Sequence, residues 1–200
     1  MTGLEEALRR LVDDLRSLEA DFALVGGLAI SMRAEPRLTR DVDVAVSVPD
    51  DDAAEAVVSS LASVGYEPGA LVEHELSGRL AAVRLAHRER PEIVVDLLFA
   101  SSGIEPEIVA AADELEALPG LVIPVAQIGH LIATKLLARD DRRRPMDADD
   151  LRSLAEVAQG DDWETAREAV ELIAARGYDR GRDIGAALSQ LSPRSGQADN

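Results

Sequence analysis

Residues 41 to 48 read DVDVAVSV. Alternation with a period of two is the signature of a half-buried β-strand, so Val42, Val44, Val46 and Val48 share one face while Asp41 and Asp43 share the other. Two carboxylates side by side on one strand face repel each other, and the fold must answer with water, a proton or a cation. A divalent metal converts the repulsion into coordination, and magnesium suits a site made of oxygen ligands alone. Taken by itself, the same octet also fits an exposed edge strand with its polar face in solvent.

Asp96 narrows these choices. It stands in IVVDLLF, three apolar residues before it and three after, in a run that reads as a strand buried on both faces. An isolated ionised carboxylate is costly there, so Asp96 must be paired, protonated or bound to metal. Three aspartates on two strands of one sheet can converge, and such a trio holding two cations roughly 3.5–4 Å apart serves in-line phosphoryl or nucleotidyl transfer. Gly26-Gly27 supplies a second element: between a strand and a short helix, backbone N–H groups can approach a phosphate unobstructed.

The rest of the chain sets bounds. Its 200 residues are 46% hydrophobic but only 2% aromatic, so Leu, Val, Ile and Ala must build the core. The absence of cysteine excludes disulfides, thiolate metal sites and a cysteine nucleophile, and the three histidines, His74, His87 and His130, are too scattered for a zinc cluster. No apolar run approaches bilayer-spanning length and no secretory signal is evident, so a soluble cytoplasmic protein without membrane contact is expected. The formal charge is −17, yet Arg33, Arg37 and Arg40 flank the DVD strand and Arg139, Arg142, Arg143 and Arg144 cluster later. These local patches oppose the global sign and permit contact with phosphate.

Periodicity predicts a helix over 3–19 with Thr2 and Glu5 as a capping box, a strand in DFALVGG, a helix over 28–33 and a strand over 42–48. A helix over 52–63 follows Asp50 to Asp52, then a hairpin turning near Ser77-Gly78 and a strand in EIVVDLLFA. From Glu105 onward the pattern is mostly helical. It is interrupted by a short strand ending at Pro124, with helices over 125–139, 148–158, 162–175 and 182–191. The fold expected is α+β, a short mixed β-sheet flanked by helices with a C-terminal helical bundle. Its parts are a core over 1–124, a helical region over 125–191 and a tail over 192–200 too poor in apolar residues to order itself.

A glycine pair after a strand, thirteen residues (28 to 40), an Asp-x-Asp strand and a third Asp on a later strand resemble the DNA polymerase β-type nucleotidyltransferase superfamily. Within it, GGLAI, RLTRDVDVAV and ATKLLARDDRRRPMDADDL are similar to AbiEii-like nucleotidyltransferases, the toxins of type IV toxin–antitoxin pairs. The resemblance implies the minimal nucleotidyltransferase fold, a nucleoside triphosphate substrate, an RNA acceptor such as the end of a tRNA, and an antitoxin partner. It also implies two Mg2+ ions, or Mn2+ in their place, at Asp41, Asp43 and Asp96, with Gly26 and Gly27 orienting the triphosphate.

Twenty arginines accompany a single lysine, Lys135. An ammonium is a compact point charge that can contact phosphate without a planar fork, and in LIATKLLA it needs a partner or a route to solvent. AbiEii-like proteins carry a lysine in this helix and an acidic residue downstream, a position that Asp147 matches, with Asp150 as competitor. MDADDL also reads as a helix cap with an acidic first turn. Ser31 and Arg40 are candidates for phosphate contact, and Trp163 for a core anchor. His130, one turn before Lys135, reads as an ordinary part-buried histidine that can also reach a nucleotide. Beside RNA modification, the acidic chain suits a cationic small-molecule acceptor such as an aminoglycoside. A non-catalytic nucleotide-binding module on the same fold is the third reading.

Overall fold

The computed structural model describes residues 3–74, 77–139 and 146–192. The expected cap at Thr2, the arginines at 142, 143 and 144 and the tail from 193 lie outside these residues. Helix α1 (Gly3–Ser17) buries Leu8, Leu11 and Leu15 and packs on strands β2 and β5. Strand β1 (Asp21–Val25) runs directly into α2 (Gly26–Arg33), then β2 (Asp41–Ser47) and α3 (Asp51–Ser63) follow. Asp50 caps α3 by accepting from the Ala53 amide at 2.9 Å. The hairpin is β3 (Tyr66–Glu73) and β4 (Leu80–His87), and β5 (Arg90–Leu98) completes the acidic part of the sheet.

Helix α4 (Glu105–Ala110), β6 (Asp113–Leu118), β7 (Leu121–Val125), α5 (Ile128–Ala138), α6 (Met146–Val157), α7 (Gly160–Ala175) and α8 (Ile184–Leu191) follow. The seven strands form one mixed sheet in the order β3-β4-β5-β2-β1-β7-β6, with β2–β5 and β1–β7 parallel and the other pairs antiparallel.

One part of the sequence reading needs correction. The stretch after Glu105 is not continuously helical around its one expected strand, because Asp113–Leu118 forms β6 and pairs with β7. Its Glu, Leu and Ala have good helix propensity, but tertiary pairing overrides that weak preference. Exposed Asp113, Glu114 and Glu116 suit a sheet edge, where charge deters pairing with another chain. Pro124 sits inside β7 rather than bounding it, opposite Glu114; the other neighbour, β1, meets β7 only at Leu24–Val125.

The valine face of β2 is sealed, with Val42 and Val46 wholly buried, whereas α4 and α5 cover the aspartate face only partly and leave a cleft. Helices α5 and α7 pack through Gly129, where a Cβ would come 2.5 Å from the Asp162 carbonyl oxygen and 2.6 Å from Thr165 Cβ. Overpacking at such a backbone contact costs about 1–3 kcal/mol. Gly129→Ala is therefore expected to lower stability by about that amount, read as a shift in the urea unfolding midpoint with an unchanged slope.

Candidate active site

The site is organised by strand register. Asp43 stands directly opposite Asp96 in the parallel β2–β5 pair, and opposite Val25 in the antiparallel β1–β2 pair. Asp96 in turn stands opposite Arg84 across β4–β5. Residues aligned across neighbouring strands project to the same side, so Arg84, Asp96 and Asp43 form one row on the open face. Asp41, two positions before Asp43 and opposite Val94, shares that face.

The diglycine turn closes around this row. Gly26 has φ +64°, and a Cβ there would fall 1.9 Å from Asp43 Oδ2. Only glycine can make that approach without strain. The Gly27 amide lies beside the Asp43 carboxylate and draws its pKa down. Burial, with Asp96 and Asp41 as further negative charges, nevertheless pushes the Asp43 pKa up to about 6 against the pull of Lys135 and the Gly27 amide.

Lys135 approaches from α5. Its Nζ donates to Asp147 Oδ1 at 2.9 Å and lies 2.8 Å from Asp150 Oδ2. Both acids belong to α6 and are buried, and Asp150 also pairs with Arg37, whose Nε stands 2.5 Å from Oδ1. The two candidate acids therefore act together, and the acidic first turn of α6 serves the lysine as well as the helix terminus. Ser31 turns its hydroxyl to the Gly27 carbonyl at 2.9 Å and accepts from the Arg37 amide at 3.2 Å. Arg40 is exposed at the entry to β2. Trp163 is in the core. His130 lines a separate concavity, with Glu107, Gln127 and Leu172.

A cleft of about 420 Å3 collects Gly26, Asp43, Arg84, Asp96, Glu105 and Lys135 along its walls. Two of these, Arg84 and Glu105, escaped the sequence reading. Arg84 binds Asp96 by two points, Nε to Oδ1 at 2.9 Å and a terminal nitrogen to Oδ2 at 2.7 Å. Glu105 Oε1 accepts from the Ser101 and Ser102 amides and the Ser102 hydroxyl, bracing the loop between β5 and α4. Its sequence signal is the Ser102-x-x-Glu105 spacing, shared with ordinary helix starts.

Asp41 and Asp43 fit a divalent cation, since they offer oxygen donors alone and Asp43 is held above the usual carboxylate range by burial and then by the neighbouring acids Asp96 and Asp41. Asp96 lies beside them with both oxygens turned to Arg84. Among the described residues no three His, Cys, Asp or Glu side chains are gathered closely enough to hold an ion as they stand.

The fold has relatives of known structure. An antigenic nucleotidyltransferase-like protein from Paracoccidioides brasiliensis shares 19% identity and a TM-score of 0.55, over 93% of this chain and 92% of that one. The lincosamide antibiotic adenylyltransferase LnuA, solved with lincomycin, shares 16% identity and a TM-score of 0.50 over 77% of this chain and 98% of its own. ANT(2″)-Ia in complex with adenylyl-2″-tobramycin shares 13% identity and a TM-score of 0.50 over 94% and 98%. Searching curated protein sequences gives no match. The architecture is that of a nucleotidyltransferase. Residues 7–199 match the model of the nucleotidyl transferase AbiEii toxin family, type IV toxin–antitoxin system, and the chain belongs to that family.

A carboxyl whose pKa is raised in the folded protein favours folding only when protonated. Without metal, Asp43 costs nothing below the unfolded value of 3.8, and the cost grows until the pH passes about 6. Discounted for partial solvent access, it reaches about 2 kcal/mol. Asp43→Asn is expected to stabilise the metal-free protein at pH 8 and to lose that advantage by pH 4, in paired urea titrations at the two pH values.

Proposed function

We propose that the protein is a magnesium-dependent enzyme that moves a nucleoside monophosphate from a nucleoside triphosphate to a hydroxyl of RNA. The acceptor we favour is the end of a tRNA, and the setting that of a cytoplasmic toxin held by a cognate antitoxin. The observation that carries the reading is the in-register row of Asp43 and Asp96 beside the diglycine turn, faced by Lys135 from α5. Family membership supports the toxin setting.

On this reading Asp41, Asp43 and Asp96 would hold the cations. Two Mg2+ ions, or Mn2+, would neutralise phosphate charge and make the attacking hydroxyl more acidic when bound. Gly26 and Gly27 orient the triphosphate at the start of α2, where backbone donors favour an anion. Lys135, fixed by its ion pairs with Asp147 and Asp150, faces the developing negative charge on the phosphates. Asp96 takes the proton of the acceptor hydroxyl, whose oxygen bonds to the α-phosphorus as pyrophosphate leaves. Ser31 and Arg40 act at the periphery, Ser31 by fixing the turn and Arg40 by contact with phosphate. The division of labour we assign is a core over 1–124 carrying the acids and a helical region over 125–191 carrying the lysine and its partners.

A second reading, adenylylation of a cationic small molecule such as an aminoglycoside, is favoured by the net charge of −17. Incubation with each of four labelled triphosphates, magnesium and either total RNA or an aminoglycoside separates the two. Label is expected in RNA, with binding that weakens steeply as salt rises. Label confined to the aminoglycoside would reverse the assignment. In the same assay Asp43→Ala and Lys135→Ala are each expected to reduce transfer about a hundredfold or more.

A further inference from the structure

Arg84 occupies the end of the acidic row. Its guanidinium engages both oxygens of Asp96, while 53% of its side-chain surface is exposed and only 19% of that of Asp96. The pair is thus a long, half-solvated arm closing over a carboxylate at the cleft wall. Arg84 lies close enough to Asp41 and Asp43 that both negative charges, after Asp96 itself, hold its guanidinium more firmly protonated.

This arrangement conflicts with direct use of Asp96 as a ligand. A carboxylate bound at two points by a guanidinium has its strongest acceptor directions filled, and a cation beside a guanidinium meets like charge. Among the described residues the Arg84 side chain makes its hydrogen bonds and ion pair with Asp96 alone, and it stands on β4 at the cleft wall. The cost of displacing it is that of a part-exposed ion pair, which is small. We propose that Arg84 is an exchangeable counter-ion, neutralising Asp96 while the metal is absent and yielding it when a divalent cation binds. This rests on the reading of Asp41, Asp43 and Asp96 as cation ligands.

The test is Mn2+ binding to the full-length protein without nucleotide, followed by loss of the free-ion paramagnetic resonance signal, with melting curves recorded in its presence and absence. Arg84→Met is expected to bind Mn2+ about fivefold more tightly than wild type, the worth of an exposed pair. Arg84→Lys, which keeps the charge and loses the fork, falls between them. Without metal, Arg84→Met melts about 3 °C lower, and saturating Mn2+ closes that gap because the wild type gives up the same pair. If wild type binds Mn2+ and Asp43→Asn does not, but Arg84→Met binds equally or more weakly, the exchange is wrong and the metal site stands. The exchange is equally wrong if the melting gap persists under saturating Mn2+. If none of the variants nor the wild type binds Mn2+, the metal reading fails and the exchange with it.

Discussion

The parallel pairing of β2 with β5 is the constraint on which the rest of the site depends. It sets Asp43 against Asp96 in the middle of a sheet whose other face is closed by Val42, Val44 and Val46. Slipping either strand by one residue would turn its acids into the valine-lined core, so the hydrophobic alternation that stabilises the fold also fixes the spacing of the charges. Two half-buried acids in register are unfavourable in isolation. The surrounding structure answers with fixed dipoles and cations: the Gly27 amide, Lys135 and Arg84. The Asp43 pKa stays raised nonetheless, chiefly by burial and then by Asp96, so these groups do not fully offset the cost of holding that carboxylate in the sheet.

Lys135 shows how a half-buried charge can be kept rigid. Two aspartates on one turn of α6 receive it, and Asp150 also receives Arg37 from the segment between α2 and β2. Arg37 in turn crowds Gly27, where a Cβ would meet its guanidinium nitrogen at 2.6 Å. The diglycine turn, the approach to β2, α5 and α6 are therefore tied into one network through side chains that are mostly buried. Removing any single member leaves another charge uncompensated, and this coupling, rather than net stabilisation, is what such a network provides.

Much of the architecture was legible from the sequence because its strongest signals are local. The Asp-x-Asp alternation, the diglycine turn, the amphipathic α1 and the Asp50 cap each depend on neighbours a few residues away. What was hidden depends on pairing between distant segments. Arg84 reads as one charge in an alternating hairpin strand, and only the β4–β5 register reveals that it meets Asp96. Asp147 and Asp150 read as competitors for one position because sequence spacing cannot show that a lysine on the preceding helix reaches both. DELEAL has the composition of a helix and becomes a strand because β7 offers an edge to pair with.

The charge distribution bears on how an acidic chain handles polyanions. Although the chain carries −17 overall, the cleft itself is nearly balanced: Asp43, Asp96 and Glu105 face Arg84, Lys135 and Arg180. Surface acids separated from the cleft by more than about 8–10 Å are largely screened at physiological ionic strength, so the local balance governs what enters. On the reading proposed for Asp41, Asp43 and Asp96, arrival of divalent cations tips this balance to positive and frees the Arg84 guanidinium at the same moment. On that reading metal would bind before or together with the triphosphate, and the empty cleft would capture RNA poorly. An overall acidic surface is compatible with an RNA substrate under that condition, because attraction is confined to the place and the state in which transfer can occur.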